Sequence, residues 1–416
     1  MNDQTMPTAK AGALAEWRGH FMLPVAAACG YATSVIHIYG LGPYIQPMAE
    51  SFGWSRTQVT AGVTIATLVQ ALMSVPVGLA VDRYGPRALG VVGVLLSAAA
   101  FAGIGTATGS PANWYLLWLL MALATLPVQA TVWTSAVASR FTASRGLAFA
   151  VTLCGASVAQ ALFPYLGARL IAAFGWQRAM AWQAALWIAL AFPLIWLFFR
   201  GAHDRPRGGG ERQAARAAAP GAGMTFAQGL RSSVYARLFL TCLMLTFGMV
   251  ALSIHFVPVL TARGATPTAA AGIASLIGLS SIIGRLGTGI LIDRYPARLV
   301  GGGVFLLPAL GTVVLLFSGA SGPGPMLAAA VIGLTLGAEI DVVVYILTRY
   351  FGLRAFGALY GALLIALSLG TALGPLAAAR VFDLTGRYDL FMWTTVGLML
   401  ASSAALLSLP REPAAE

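Results

Sequence analysis

Long runs of apolar residues, separated by short polar stretches, follow one another along almost the whole chain. Each run is long enough for a bilayer-crossing helix, which needs roughly 20 predominantly apolar residues. The predicted spans are near residues 20–47, 56–81, 88–107, 113–138, 146–171, 179–199, 236–262, 268–292, 299–318, 326–348, 355–382 and 389–409. The pattern therefore predicts an all-α membrane protein with twelve transmembrane helices.

The composition supports a membrane protein. Of the 416 residues, 58% are hydrophobic and 9% are charged, whereas a soluble domain carries about 25% charged residues. Most of the surface is therefore expected to face lipid. The net charge of +12 would suggest a nucleic-acid partner in a soluble protein. Because the arginines here lie in short loops between apolar runs, we expect a bilayer and no nucleic acid.

The basic residues are distributed unequally between the two sides of the predicted helices. With the N-terminus inside, 18 of the 25 basic residues fall on the inner side, six on the outer side and one, Arg285, inside a span. Basic loops favour the cytoplasm, so we expect both termini to be cytoplasmic. We expect the membrane to be the inner (plasma) membrane of a bacterium. Residues 200–232, rich in Arg, Gly, Ala and Pro, predict a basic cytoplasmic linker between an N-terminal half, 1–199, and a C-terminal half, 233–416.

The two halves repeat each other at a spacing of 211 residues. The segment G-L-A-V-D-R-Y-G-P-R at 78–87 has a second copy, G-I-L-I-D-R-Y-P-A-R, at 289–298. Pro47 and Pro258 have the same spacing, as do Arg169 and Arg380. Two parallel six-helix repeats predict a binding site at their interface, near the middle of the membrane.

Several motifs connect this chain to a known family. Segment 78–87 resembles the signature between helices 2 and 3 of the major facilitator superfamily, and the resemblance extends over the whole chain. Within that superfamily the chain is most similar to the monocarboxylate and oxalate–formate transporter branch. The residues that carry this are G-W-S-R at 53–56, R-F-T-A-S-R-G-L-A at 140–148, Gly284-Arg285, Gly374-Pro375 and F-D-x-T-G-x-Y at 382–388. The resemblance implies two pseudo-symmetric six-helix halves, alternating access and a carrier that works as a monomer.

The resemblance also implies a conformational latch at the cytoplasmic ends of the second and eighth helices. Asp82 and Asp293 lie at helix C-termini, where the helix dipole disfavours an anion. Each carboxylate therefore needs a partner, such as Arg87, Arg298 or the N-terminus of an adjacent helix. A solvated turn would explain the arginines but not the aspartates. The predicted latch residues are Gly78, Asp82, Arg83, Arg87, Gly289, Asp293, Arg294 and Arg298.

Arg285 lies in an unfavourable place for a charge. It precedes Asp293 by eight residues, about 12 Å inside the cytoplasmic boundary at 1.5 Å per residue. A central arginine costs roughly 2.5–3.5 kcal/mol on insertion scales, so it must pair with an acid or face water. Its repeat counterpart is Ser74, which favours a functional role. In the branch that the chain resembles, the helix-8 arginine binds the substrate carboxylate; the alternative is a structural pair with an acid of helix 10.

Two acids, Glu339 and Asp341, lie deep within a predicted span. They are two residues apart, about 200° around a helix, so they face different directions. We expect at least one to carry a proton; alternatively, Glu339 neutralises Arg285 across the bundle. Asp341 shares a polar face, suited to a cavity, with Gly337, Tyr345 and Thr348, and Glu339 shares a drier face with Thr335, Val342, Val343 and Ile346.

Two histidines complete the candidates. The resemblance places His37 of the first helix and His255 of the seventh in the outer halves of cavity-lining helices. Histidine titrates near neutral pH, so either could bind a proton or an anion; the alternative is a hydrogen-bonded interhelical histidine. The hydroxyl donors near these positions are Tyr31, Ser34, Tyr39, Tyr44 and Tyr345. We assign substrate binding to Arg285, His37, Tyr345 and His255, and proton coupling to Glu339 and Asp341.

These residues predict a secondary active transporter for a small organic anion, a monocarboxylate, working by alternating access with proton symport. The alternatives are an organic-anion exchanger and a proton-driven drug or metabolite exporter in which Arg285 is structural. An enzyme is disfavoured because no nucleophile–base set is present. No cofactor is expected, because no Walker pattern surrounds Gly208–Gly210, and no metal, because the four histidines lack ligand spacing with one another or with cysteine.

Overall fold

The computed structural model describes residues 14–141, 144–201, 223–292, 294–352 and 354–411, without the side chains of Val75 and Asp82. Nearly all of these residues are helical, which confirms the predicted all-α class. The linker predicted at 200–232 lies mainly outside the described residues, so the boundaries 1–199, 200–232 and 233–416 stay predictions.

We label the membrane helices α1 to α12 in chain order. Helix α1 comprises Met22–Ser34, Ile36–Tyr39 and Ile45–Phe52, and α2 comprises Arg56–Leu72 and Ser74–Tyr84. Helix α3 is Pro86–Ile104, and α4 comprises Pro111–Thr125 and Ala130–Ala138. The stretch Arg145–Phe198 contains α5 and α6, divided at Gly175. The remaining helices are α7, Ser233–Ala262; α8, Pro267–Ile292; α9, Ala297–Phe317; α10, Pro323–Phe351; α11, Phe356–Thr385; and α12, Asp389–Leu407.

Nine helical stretches of the described chain are long and apolar enough to cross a membrane on their own. This number agrees with twelve spans because α5 and α6 form one continuous stretch and because α1 and α2 are each divided into shorter segments by a kink.

Prolines account for the breaks in α2 and α4. Pro76 follows the break at Met73 by three residues, and Pro127 lies in the 3₁₀ turn Leu126–Val128 that interrupts α4. Proline cannot donate a hydrogen bond to the carbonyl four residues earlier, and its ring crowds that carbonyl. Pro258, in contrast, lies inside the uninterrupted helix α7.

The backbone repeats with the spacing that the sequence predicts. Gly53 and Gly264, before α2 and α8, have φ of 66° and 99°, and Gly175 and Gly386, before α6 and α12, have φ of 74° and 71°. Both pairs are 211 residues apart and occupy the left-handed region that glycine adopts without steric cost. The two large apolar clusters are divided in the same way, one almost entirely from α1–α6 and the other almost entirely from α7–α12, and a small third cluster lies within α2–α4. The fold is therefore two pseudo-symmetric six-helix halves.

Helices α8 and α10 approach each other closely along a line of small residues. A Cβ atom on Gly333 would lie 2.3 Å from the Ile277 carbonyl oxygen, and one on Gly337 would lie 1.7 Å from the Ser281 carbonyl oxygen. Glycine is therefore required at these contacts. The two contacts are one turn apart on both helices, which run in the same direction across the membrane. The following turn brings Arg285 beside Asp341.

This geometry predicts that Gly337→Ala destabilises the protein by roughly 1–3 kcal/mol, because the added methyl group overpacks the α8–α10 contact. The measurement is thermal unfolding of the purified full-length chain in detergent. Gly303→Ala in α9 is the matched control, because nothing lies within 4 Å of a Cβ atom at that position. Equal melting temperatures for the two variants would contradict the close approach.

Candidate functional site

The centre of the site is an ion pair between α8 and α10. Arg285 is buried, with 7% of its side chain exposed, and its Nη1 atom lies 3.2 Å from each of the two carboxylate oxygens of Asp341. Asp341 is 35% exposed. The pair is therefore accessible from one side while the arginine stays within the protein. Of the two interpretations of Arg285 made from the sequence, the structure contains the ion pair with helix 10, formed by Asp341.

Glu339 lies close to this pair on the other face of α10. Its side chain is 9% exposed, and its Oε2 atom has no hydrogen-bond partner among the described residues, as is also true of the Nε atom of Arg285. Buried polar atoms in native proteins are nearly always hydrogen-bonded, so two such atoms in one place mark a site that can accept a further group. We call Arg285, Glu339 and Asp341 the central cluster.

The two faces of α10 differ in burial as the sequence predicts. Asp341 is half-buried, as are Tyr345 and Thr348, which follow it on the same face. Gly337, the fourth residue predicted for this face, is instead buried against α8. The face of Glu339 is dry. Its other members, Thr335, Val342, Val343 and Ile346, are all buried.

Residues from both halves surround the central cluster. Five side chains lie within electrostatic range of its charged groups: Tyr31 and Tyr39 of α1, Cys154 of α5, Cys242 of α7 and Tyr360 of α11. The cluster therefore lies at the interface of the halves, where the internal repeat predicts a binding site. The cysteines and Tyr360 were not predicted as site residues. Cys154 precedes by three residues Ser157, whose carbonyl oxygen lies against Gly278 of α8, so α5 packs closely on α8 beside the cluster.

The structure places His37 away from the central cluster. Its ring packs edge-on against Trp118 of α4, with 6.2 Å between ring centroids. The side chain is fully buried, and neither ring nitrogen has a hydrogen-bond partner among the residues described. His37 and Tyr39 are separated by about 200° around the helix, so Tyr39 faces the cluster while His37 faces the interior of the N-terminal half.

His255 takes part in a hydrogen-bond network between α7 and the C-terminal part of α11. Its Nε2 atom lies 3.0 Å from the Pro375 carbonyl oxygen, and its Nδ1 atom lies 3.0 Å from the Tyr388 hydroxyl. Because a carbonyl can only accept, Nε2 donates to Pro375 and Nδ1 accepts from Tyr388. His255 thus forms the interhelical hydrogen bonds that were the alternative interpretation from sequence.

The latch residues are described only in part. Asp293 and the side chain of Asp82 lie outside the described residues, so their pairing stays a prediction. Gly78 lines a cavity of about 460 Å³ between α2, α4 and α5, Gly289 has nothing within 4 Å of its Cβ position, and Arg83 and Arg294 are exposed.

Arg87 and Arg298 have equivalent contacts in the two halves. Arg87 donates to the Trp196 carbonyl oxygen at 2.9 Å, near the end of α6, and Arg298 donates to the Leu409 carbonyl oxygen at 3.1 Å, just after α12. The last carbonyls of a helix lack intrahelical donors and favour a nearby cation. These two arginines therefore tie each half's third helix to its sixth.

Within the described ranges, no three His, Cys, Asp or Glu residues come together in a metal-binding arrangement. The polar centre of the bundle instead combines one cation with two acids, ringed by tyrosine hydroxyls and thiols. Such a set can bind an ionised small molecule and exchange a proton.

Comparison with solved structures supports the architecture. The fold is similar to a single-substitution mutant of the nucleoside transporter NupG, with a TM-score of 0.70 over 93% of this chain and 98% of that one, at 11% identity. It is also similar to a bacterial homologue of the human lysosomal transporter Spinster in an inward-facing, unoccupied conformation, with a TM-score of 0.64 over 92% and 93% of the two chains, at 16% identity. At these identities the likeness shows the fold alone.

Sequence comparison identifies the family. The chain is 25% identical to monocarboxylate transporter 13 of Bos taurus over 89% of this chain and 84% of that one. It is 27% identical to the MFS transporter asaE of Aspergillus flavus over 66% of this chain and 59% of that one. The first similarity agrees with the branch that the sequence motifs indicate. A family model described as Major Facilitator Superfamily matches residues 27–375, and the chain therefore belongs to the major facilitator superfamily.

Proposed function

We propose that this transporter carries a small organic anion, a monocarboxylate, together with a proton. The observation that supports this most directly is the Arg285–Asp341 pair, a cation held by a partly exposed acid between the two halves. Guanidinium offers a planar fork to two carboxylate oxygens. In the pair, both oxygens of Asp341 are reached from the single nitrogen Nη1, so the fork is not used in full.

Asp341 and a substrate carboxylate compete for Arg285. Protonation of Asp341 removes its charge and weakens its hold on the guanidinium, which then binds the carboxylate of the substrate. The proton and the anion therefore enter the site together. Asp341 suits this exchange better than Glu339, because it contacts Arg285 and is 35% exposed, whereas Glu339 is 9% exposed.

The net charge of the site explains why the anion and the proton are transported together. The empty site, with Arg285 beside ionised Asp341, and the loaded site, with Arg285 beside the anion and Asp341 protonated, carry the same net charge. A proton without the anion, or the anion without a proton, changes that charge by one. A charge in the bilayer centre costs roughly 2.5–3.5 kcal/mol on insertion scales, so reorientation is favoured only for the matched states.

Two neighbours complete the proposed site. Tyr345 follows Asp341 by one turn on the same half-buried face and supplies a hydroxyl donor to the bound anion. Glu339 keeps one protonation state through the cycle, and its unpartnered oxygen accepts a hydrogen bond from a polar group of the substrate.

A second candidate is a proton-driven exporter of cationic compounds. The observation that favours it is that Arg285 is already neutralised by Asp341, which leaves Glu339 as a buried acid with an unpartnered oxygen. In this case Arg285 is structural and Glu339 holds the cation. An anion exchanger without proton coupling uses Arg285 as in the first proposal but needs an anion on both sides of the membrane.

The anion site predicts that Arg285→Gln lowers carboxylate uptake at least tenfold, in line with the ~1.5–3 kcal/mol of a hydrogen bond to a charged group. The measurement is uptake of labelled lactate, pyruvate, oxalate and an aromatic acid into proteoliposomes with an inward proton gradient. The exposed Arg380→Gln in α11 is the matched control and should transport normally.

The double variant Arg285→Gln/Asp341→Asn separates binding from folding, because it removes the pair without leaving a buried charge. We expect it to be folded and as inactive toward carboxylates as the single variant. Undiminished carboxylate uptake by folded Arg285→Gln would contradict the anion site, and transport of cationic compounds in its place would favour the exporter.

The role of Asp341 predicts a separation of net uptake from exchange. In Asp341→Asn the loaded site stays balanced but the empty site carries an uncompensated arginine. Proton-driven accumulation should therefore fall at least tenfold, while exchange of external label for internal unlabelled anion continues. Accumulation and exchange are measured on the same proteoliposomes, with the exposed Arg380→Gln as the control that keeps both and Glu339→Gln as the second acid variant.

The reverse result, accumulation lost in Glu339→Gln and kept in Asp341→Asn, would assign the proton to Glu339 and contradict the role given to Asp341. A wild-type protein that ignores the proton gradient and requires internal anion would identify an exchanger.

A further inference from the structure

Two of the sequence motifs meet at the outer ends of α2 and α11. Asp383, near the end of α11, accepts hydrogen bonds at the first turn of α2: from the Arg56 amide at 2.9 Å, the Thr57 amide at 2.9 Å and the Thr57 hydroxyl at 2.5 Å. The first amides of a helix have no intrahelical acceptor and carry the positive end of the helix dipole. A carboxylate from the C-terminal half thus caps a helix of the N-terminal half.

The side chain of Arg56 adds a second set of contacts to the C-terminal half. Its guanidinium lies 3.7 Å from the centre of the Phe382 ring, and Nη1 donates to the Tyr388 hydroxyl at 2.6 Å. Tyr388 in turn donates to His255 of α7. Arg56 is 9% exposed, so this cation is held within the interface, where stacking on an aromatic ring is stronger than in water.

The contacts of Arg56 and Asp383 occur where α2 meets α11 and have no counterpart at the equivalent edge, where α5 meets α8. The positions 211 residues away from Arg56 and Asp383 are Pro267, at the start of α8, and Ala172, near the end of α5. Neither can form an ion pair. On that opposite edge, α5 and α8 meet through backbone, as a Cβ atom on Gly278 would lie 2.2 Å from the Ala161 nitrogen.

A further contact lies deeper on the charged edge. The Thr64 hydroxyl of α2 donates to the Ala372 carbonyl oxygen of α11 at 2.6 Å. Thr64 follows Arg56 by eight residues and Ala372 precedes Asp383 by eleven, so α2 and α11 remain together for about 12 Å or more from the outer surface.

We propose that an outer lock holds the two halves together on the extracellular side and breaks when the central cluster opens outward. The lock consists of Arg56, Thr57, Asp383, Tyr388 and His255. Asp383 is its key residue, because it holds two backbone amides and one hydroxyl across the interface. This role of His255 replaces the substrate contact predicted from its position in the sequence. The lock does not depend on the identity of the substrate.

The test measures the distance between the halves at the outer surface. Spin labels are placed at two exposed positions, Ala112→Cys in the first turn of α4 and Ser321→Cys in the α9–α10 loop. The full-length chain that carries them has Cys29, Cys154 and Cys242 replaced by serine. Double electron–electron resonance in proteoliposomes then reports the distribution of distances without any substrate.

We expect Asp383→Asn and Arg56→Gln each to raise the ratio of long to short distances about tenfold or more, as expected for the loss of hydrogen bonds to a charged group. The matched control is Asp389→Asn. Asp389 pairs with Arg263 and Arg387, all in the C-terminal half, so its loss removes outer ion pairs without touching the interface. A distance distribution unchanged by Asp383→Asn would overturn the lock.

Disulfide formation between α2 and α11 is a second measurement, and it requires no spin label. The pair Thr64→Cys and Ala372→Cys should form a disulfide in the otherwise cysteine-free chain, and Asp383→Asn should slow its formation severalfold. Equal rates with and without Asp383→Asn would contradict the lock. A distance shift in Asp383→Asn, together with no carboxylate transport by the wild type, would leave the lock in place and refute the anion proposal.

Discussion

The ion pair between Arg285 and Asp341 is the constraint around which the centre of the bundle is built. A guanidinium in a membrane span must pair with an acid or face water. Asp341 reaches Arg285 because α8 and α10 are in contact one turn earlier, at Ser281 and Gly337. Small residues on α10 thus bring two charges together in the low-dielectric interior. In the proposed mechanism the same closeness makes the pair exchangeable, since a substrate carboxylate that reaches the half-buried side of Asp341 meets the same guanidinium.

Polar contacts join different parts of the structure at the two ends of the molecule. At the end of the bundle where α2 meets α3 and α8 meets α9, Arg87 and Arg298 bind helix-terminal carbonyls within their own halves, so they stabilise each half as a unit. At the opposite end, Asp383 and Arg56 join one half to the other. Rigid halves held together by a breakable contact are what alternating access requires, because the halves must move relative to each other without unfolding.

The sequence predicts the helices, the repeat and the polar centre because these follow from local pattern. Apolar run length predicts spans, and the repeated segments predict the 211-residue spacing that the paired glycines of positive φ also show. For a structural pair, the sequence limits the partner of Arg285 to an acid of helix 10. Helical spacing alone does not determine whether Glu339 or Asp341 faces α8. The roles of His37 and His255 depend on rotation of α1 and α7 about their axes, which the short motifs around them do not determine. The Arg56–Asp383 contact joins residues 327 positions apart, and both motifs were recognised from the sequence without any sign that they meet.

If a proton on Asp341 releases Arg285 to bind a carboxylate, anion binding and proton uptake are coupled, and the protons taken up can be counted. Purified protein in weakly buffered solution is mixed with the carboxylate that proteoliposomes transport best, and the pH change is recorded against the amount of anion bound. We expect uptake of about one proton per bound anion in the wild type and none in Asp341→Asn. Anion binding without proton uptake in the wild type, or equal uptake in both proteins, would contradict this coupling.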